Sequence, residues 1–173
     1  MYLMFGEETI GNRDHRFLSN RSVIIMDYLA KAFDYIRKSD NSDFEGKKSE
    51  ALVQKAENFL GLKFPIEYRK FLLEFGCGDV DGVEIFGLIN DKFETNSVPD
   101  AIAITAKERE SASLKQNLII IGDSSEYYYA LDLGKENNTY VPVIDLIPSR
   151  KPEECQIVSN SFGEFLCMRF DIL

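Results

Sequence analysis

The sequence is poor in residues on which common functional sites depend. Its 173 residues include no Trp, one His and three Cys. Cys77, Cys155 and Cys167 are too few and odd in number for a secreted disulfide framework, so a reducing cytoplasm suits the chain better. Their spacing matches no zinc pattern. No apolar run approaches the ~20 residues that span a bilayer, and the N-terminus lacks the basic start and apolar core of a signal peptide.

The same scarcity argues against catalysis. The one histidine, His15, lies in the least regular part of the chain, so a Ser–His or Cys–His pair would have an unanchored base. Cys77 follows the end of a predicted helix, where the partial negative charge raises a thiol pKa. We therefore predict that the protein is not an enzyme and holds no cofactor or metal. A small hydrolase that uses carboxylates marked by no motif is kept as an alternative.

The chain has an excess of acidic over basic residues. There are 29 acidic and 20 basic residues, which gives a net charge of −9 and a pI near 4.7. Such a surface repels nucleic acid and anionic lipid and accelerates association with basic proteins. We expect neither nucleic acid nor a membrane as a partner. Solubility alone also favours acidic surfaces, so the charge excludes partners better than it selects one.

Apolar spacing divides the chain into an irregular start and one domain. Residues 1–25 show no sustained period and are interpreted either as an appended arm or as an upstream extension. Residues 26–173 are long enough for a single domain with its own core. Helical periodicity and caps predict five helices there. They lie at residues 26–38, from Ser49 to Leu60, at 65–75, at about 97–112, and after the capping box of Ser161 and Glu164.

The strand signals concentrate in the second half. A continuous apolar run suits a strand covered on both faces, and alternating segments suit half-buried strands. Pro142 indicates an edge position or a bulge, because proline cannot donate to a ladder. The strands are predicted at Val83–Leu88, Leu118–Ile121, Tyr127–Leu133, Tyr140–Ile147 and Gln156–Val158. Together with the helices they predict an α+β fold, a mainly antiparallel sheet of about five strands flanked by four to five helices.

Two polar segments are predicted as connections. Residues 39–43 are rich in turn formers and are expected to form a loop. Asp79-Val80-Asp81-Gly82 has the opening rhythm of a calcium loop, but Asn90 stands where the final Glu should be. We expect instead a turn in which aspartates bond their own backbone.

If the chain binds a partner, loops at one end of the sheet and its uncovered face form the expected surface. Exposed aromatic rings among carboxylates are good anchors for a basic protein. The alternative is that the tyrosines only cover the sheet and the aspartates only make turns. The predicted partner-binding residues are Asp79, Asp81, Glu84, Asp123, Glu126 and Tyr128.

One stretch resembles a known family. It contains Leu60-Gly61, Phe64-Pro65, Tyr68, Phe71-Leu72 and Gly76-Cys77-Gly78. This order is similar to the signature of the SUKH superfamily, in which an acidic residue precedes Leu-Gly, followed by Leu-Pro, Tyr, Phe-Leu and a glycine-rich turn before a strand. Phe64 replaces the usual Leu, and Cys77 stands where Gly or Asn is common. A looser likeness continues through Leu118–Asp132, Val141–Asp145 and Ser161–Leu166, so that it covers about the last four-fifths of the chain.

The superfamily includes yeast cell-wall-synthesis regulators and many bacterial immunity proteins, which neutralise polymorphic toxins that are often nucleases. The resemblance therefore implies an immunity protein, or antitoxin, that binds a cognate toxin and occludes its active surface. An acidic protein would suit a basic nuclease domain. The other function that the resemblance implies is a regulatory scaffold that binds endogenous protein partners.

Overall fold

The structure is a computed structural model that describes residues 28–111, 114–135, 140–147 and 154–173. The predicted arm at residues 1–25 lies outside the described residues. Five helices occur within them: α1 over residues 28–38, α2 at Glu50–Leu60, α3 at Ile66–Phe75, α4 at Ala101–Ser111 and α5 at Phe162–Arg169. None of these helices is both long and apolar enough to cross a membrane.

The helix ends follow local chemistry. The Ser49 side chain accepts a hydrogen bond from Leu52 N, and Gly61 ends α2 in the left-handed region at φ 67°. The predicted helix at 97–112 begins only at Ala101. Asp100 causes this later start, because its carboxylate accepts hydrogen bonds from Ile102 N at 3.0 Å and Ala103 N at 2.9 Å. The cap therefore lies three residues after Ser97.

The strands form two antiparallel sheets, in the orders β1-β2-β3 and β4-β5-β6-β7. Their bounds are Ser42–Phe44 for β1, Gly78–Val80 for β2, Val83–Ile85 for β3, Leu118–Asp123 for β4, Tyr128–Asp132 for β5, Val143–Leu146 for β6 and Ile157–Ser159 for β7. The predicted α+β class is confirmed. The described strands divide between two sheets instead of one, because β1 and β2 add a small sheet that the sequence pattern did not indicate.

Three details of the prediction are corrected. Residues 39–43 include part of β1, and the segment predicted as a glycine turn contains β2. Asp81 and Gly82, at φ 52° and φ 78°, form the two-residue connection from β2 to β3, since hairpin turns of this kind need positive φ at both positions. Pro142 directly precedes β6, which is an interior strand with a register irregularity at Val143. The edge interpretation of Pro142 is therefore wrong, and the bulge interpretation fits.

The core is built around α3. Tyr68 and Phe71 are fully buried, and the Tyr68 hydroxyl donates to Phe86 O at 3.1 Å. The Phe71 ring contacts Phe44 of β1 and Phe162 of α5 at centroid distances of 6.0 Å and 5.4 Å. α3 thus holds the small sheet and the terminal helix together, and burial of its aromatic rings is the main stabilising contribution of this region.

A seam joins the two sheets. Phe86 N, just after β3, donates to Ile121 O of β4 at 2.9 Å. This bond lies outside the paired ladders of either sheet, yet it brings β3 beside β4. The polar residues at the ends of β3 and β4 are therefore brought near one another.

Candidate functional site

Acidic side chains line up across neighbouring strands. Asp43 of β1 lies opposite Asp79 of β2, which in turn lies opposite Glu84 of β3. Across the seam, Asp123 of β4 lies opposite Tyr128 of β5. Residues directly opposite in an antiparallel pair point to the same face. We call Asp43, Asp79, Glu84, Asp123 and Tyr128 the acidic row.

Two carboxylates of the row contribute to a raised pKa of a third. Burial, then the charges of Asp123 and Asp79, raise the pKa of Glu84 above its ordinary value. The Asp123 effect shows that Glu84 and Asp123 are electrostatic neighbours across the seam. Among the residues that the structure describes, no Lys or Arg forms an ion pair with any acidic member of the row. The row is therefore a line of negative charge that the fold does not neutralise.

A cavity of about 360 Å³ opens beside the row. Its lining residues are Asp43, Phe44, Glu45, Cys77, Gly78, Asp79, Glu84 and Pro99. Four of these carry carboxylates and none is basic. Lys48 Nζ lies 3.5 Å from Glu45 Oε2, and it also donates to Ile89 O at 2.8 Å. A cavity of this composition suits the head of an arginine or lysine side chain.

Cys77 lies in this cavity wall but does not offer a nucleophile. It is fully buried, and burial together with the charge of Glu45 raises the pKa of its thiol to about 12. The thiolate, which is the reactive form, is therefore scarce at neutral pH. The sequence predicted a raised pKa from the helix end, whereas burial is the larger cause. Across the described part of the chain, no group of three or more His, Cys, Asp or Glu side chains is placed to hold a metal ion.

Asp81 differs from the row in its bonding. Its carboxylate accepts hydrogen bonds from Asn41 Nδ2 at 2.9 Å and from the Tyr35 hydroxyl at 2.7 Å, and these lower the pKa of Asp81. It thus ties the β2–β3 turn to α1. Asp79 Oδ1 accepts from Gly82 N at 3.2 Å, as in the turn expected from the sequence. The two aspartates of the calcium-like motif are bound to different partners.

The two remaining predicted residues lie at the β4–β5 hairpin. Glu126 is exposed in the turn, where its backbone N–H donates to Ser124 Oγ at 3.3 Å. Tyr128 is half-buried, and its hydroxyl donates to Glu108 Oε1 at 3.4 Å. Burial and the charge of Glu108 raise the pKa of Tyr128. Glu126 therefore flanks the row, and Tyr128 supplies its one aromatic ring.

Two residues of this surface were not found from the sequence. Asp43 and Glu45 were assigned to a polar loop or left unremarked, because the short strand β1 gives no alternating apolar pattern. The available signal was Phe44, a single apolar residue among polar neighbours, which packs against the core. A strand at this position would have placed Asp43 beside Asp79.

Most of the residues that carry the family resemblance lie away from the row and serve the fold, whereas Cys77 and Gly78 also line the cavity beside it. Glu57, at 3% exposed, accepts a hydrogen bond from Phe64 N at 3.1 Å and pairs with Arg69 at 3.1 Å. Tyr68 and Phe71 belong to the core described above. At Gly78, an added Cβ would lie 2.2 Å from Asp43 O, so β1 and β2 approach closely only because this residue has no side chain.

The sequence was compared with models of known protein families. The family model SUKH_6, described as SMI1-KNR4 cell-wall, matches residues 50–166, which is more than half of the chain. Among curated proteins, the comparison returns no match. The matched range contains the segment from Glu57 to Gly78 that carries the resemblance, which we call the signature segment. It also contains the seam and four of the five residues of the acidic row. On this evidence the chain belongs to the SMI1-KNR4 family of the SUKH superfamily.

Proposed function

We propose that the protein is an immunity protein that binds a basic surface of a cognate toxin and blocks it without chemistry. Family membership is consistent with this function. The observation that carries the proposal is the acidic row, in which three strands of one sheet and one of the next present carboxylates without a cationic partner among the described residues. Charges that the fold does not use are available to a partner.

The proposed mechanism is electrostatic and steric. A line of carboxylates resembles the repeated negative charge of a nucleic-acid backbone, so it is attracted to the cationic cleft of a nuclease. The cavity beside the row receives a basic side chain of the toxin, and the ring of Tyr128 supplies apolar contact at the end of the row. Steering by the row accelerates association, and desolvated contacts in the cavity slow dissociation.

The proposal includes the absence of catalysis and a cytoplasmic location. The cavity beside the row offers no activated nucleophile, since the Cys77 thiol is held protonated. The three cysteines Cys77, Cys155 and Cys167 form no disulfide and are suited to a reducing compartment.

A second function, a regulatory scaffold for endogenous proteins, is favoured by the description of the matched family model, which refers to the cell wall. This function would use the same surface. It differs in that no toxin encoded beside the gene would be neutralised.

The test compares two triple variants with equal charge change. The first replaces row residues: Asp43→Lys, Glu84→Lys and Asp123→Lys. The control replaces exposed acids on other parts of the chain: Glu94→Lys, Glu110→Lys and Glu154→Lys. Each is co-expressed with any candidate toxin domain encoded beside the gene, and growth rescue and association kinetics at several salt concentrations are measured.

We expect the row variant to lose rescue and to associate at least about tenfold more slowly at low salt, while the control changes less than about threefold. Equal loss in both variants would mean that net charge alone matters and that the row is not the interface. Rescue without a stable complex, or rescue that depends on turnover of a small substrate, would refute the non-catalytic mechanism. Absence of any neutralised toxin would favour the scaffold.

A further inference from the structure

A second surface, which carries lysines around an apolar floor, lies between α1 and α3. A groove of about 870 Å³ runs between these helices. Its lining residues are Leu29, Ala30, Lys31, Phe33, Asp34, Arg37, Lys47, Lys70, Leu73 and Glu74. The members on α1 recur at spacings of three and four residues, as do those on α3, so each helix contributes one face. The residues of the acidic row do not line this groove.

The floor of the groove is apolar. Leu29 and Phe33 are buried beneath it, and Leu73 is half-buried beside them. The Phe33 ring packs edge-on against Phe75 at 4.9 Å, which holds α1 and α3 together below the groove. A ligand side chain on this floor would therefore meet a rigid hydrocarbon surface.

Both acidic residues of the lining are already paired. Arg37 Nη2 crosses from α1 to Glu74 of α3 at 2.6 Å, and Arg37 Nη1 lies 3.2 Å from Asp34. Asp34 also pairs with Lys38 at 3.1 Å. The acids of the groove are thus neutralised by neighbouring cations on the same helix pair.

The lysines of the lining are in the opposite situation. Lys31, Lys47 and Lys70 form no ion pair with any residue in the described ranges. Lys31 and Lys47 are exposed and Lys70 is half-buried. Three cations that form no ion pair surround an apolar floor and form a local positive surface on a chain whose net charge is −9, although the charge of Lys70 also acts on the buried Glu67.

We propose that this groove binds an acidic peptide segment of a protein partner, with an apolar side chain on the floor and carboxylates against the three lysines. Charge complementarity selects acidic residues, and the floor selects an adjacent Leu- or Phe-like side chain. A peptide fits better than a nucleic acid, because a phosphate backbone has no apolar group for the floor. This inference is independent of the acidic row and of the toxin.

The experiment uses labelled synthetic peptides and the full chain. One peptide alternates Glu with Leu and Phe; a second has the neutral Gln in place of each Glu; a third has Ser in place of each Leu and Phe. Fluorescence anisotropy measures their affinities. We expect the first peptide to bind at least about tenfold more tightly than either of the others.

Two charge-matched triple variants locate the binding. One carries Lys31→Glu, Lys47→Glu and Lys70→Glu; the control carries Lys92→Glu, Lys107→Glu and Lys115→Glu, which are exposed lysines outside the groove. We expect at least about a tenfold loss of affinity in the first and less than about a twofold loss in the control. Circular dichroism checks folding. If the triple variant unfolds, a double variant with Lys31→Gln and Lys47→Gln replaces it, with about a fourfold loss expected and with Lys92→Gln and Lys107→Gln as its control.

Equal loss in the two triple variants would overturn the proposal, as would failure of the wild-type chain to bind the acidic apolar peptide. A single-stranded oligonucleotide that binds as tightly as the peptide, and loses affinity in the groove variant, would reassign the groove to nucleic acid. Self-association that the groove variant abolishes, measured by sedimentation, would reassign it to a second copy of the chain.

Discussion

The signature segment and the acidic row differ in whether their carboxylates have bonding partners. Between Glu57 and Phe75 two carboxylates are buried: Glu57 is bound by Lys63, Arg69 and the Phe64 backbone N–H, and Glu67 Oε2 accepts a hydrogen bond from Gly163 N at 3.2 Å. In the row, carboxylates on adjacent strands face one another without a described cation. The first arrangement stabilises the fold, whereas the second costs it stability. The difference indicates that the segment by which the family is recognised mainly builds the core, while the carboxylates of the surface proposed for partner binding lie outside it.

Damage to the core around α3 should lower the stability of the fold the most. Phe71→Ala should lower the free energy of unfolding by about 3–5 kcal/mol, because it removes a fully buried ring in contact with Phe44, Phe75 and Phe162. Asp123→Asn in the row should change it by less than about 0.5 kcal/mol. Urea unfolding measures both. Comparable losses in the two variants would show that the row also serves the core.

Removal of a buried charge in the signature segment should have an intermediate effect on the free energy of unfolding. Glu57→Gln should lower the free energy of unfolding by about 2–3 kcal/mol, because it leaves Arg69 and Lys63 without their buried partner. Glu50 is a matched control, since it pairs with the same Arg69 but is 68% exposed.

Glu50→Gln should change the free energy of unfolding by less than about 0.5 kcal/mol. The same urea titrations report both values. If the two variants lose equal stability, burial does not distinguish these carboxylates, and the contrast with the row weakens.

The smallest effect lies in the row and has the opposite sign. Because the pKa of Glu84 is raised in the folded protein, the stability linked to its proton is present below the pKa of the unfolded chain and lost as pH rises through the folded pKa. Glu84→Gln should therefore increase the free energy of unfolding at pH 7 by a few tenths, about 0.3–0.5 kcal/mol. The gain should vanish near about pH 4.

Unfolding curves for wild type and Glu84→Gln across this pH range provide the measurement, with the exposed Glu110→Gln as control. A loss of stability at neutral pH in the Glu84 variant would mean that the row is compensated by a contact and is not a free surface.

Local chemistry explains which parts of the fold could be predicted. The Ser49 and Ser161 caps, the glycine at the end of α2 and the apolar run of β4 each depend on residues near one another in sequence. β1 and β2 could not be predicted in this way. Their three-residue strands contain Ser, Asp and Gly, and they form because the chain brings residue 43 beside residue 79 through α2 and α3.

The same limit applies to the candidate site. Asp79, Glu84, Asp123 and Tyr128 were predicted from charge and position and lie in one row. Asp81, two residues from Asp79, is bound to α1 instead, because a two-residue turn points it toward Tyr35 and Asn41. Sequence alone does not reveal such hydrogen-bond partners, and it cannot show that two strands from different sheets meet.

The seam at Phe86 and Ile121 determines the spacing of the charges that cross it. Glu84 and Asp123 belong to separate sheets, so their separation follows from how these sheets dock and not from the pairing within either one. Packing changes beneath the seam, for example at Gly122, would move one half of the row against the other without replacing any of its carboxylates. If the row binds a partner as proposed, such changes would alter which partner fits it without changing the charge of the protein.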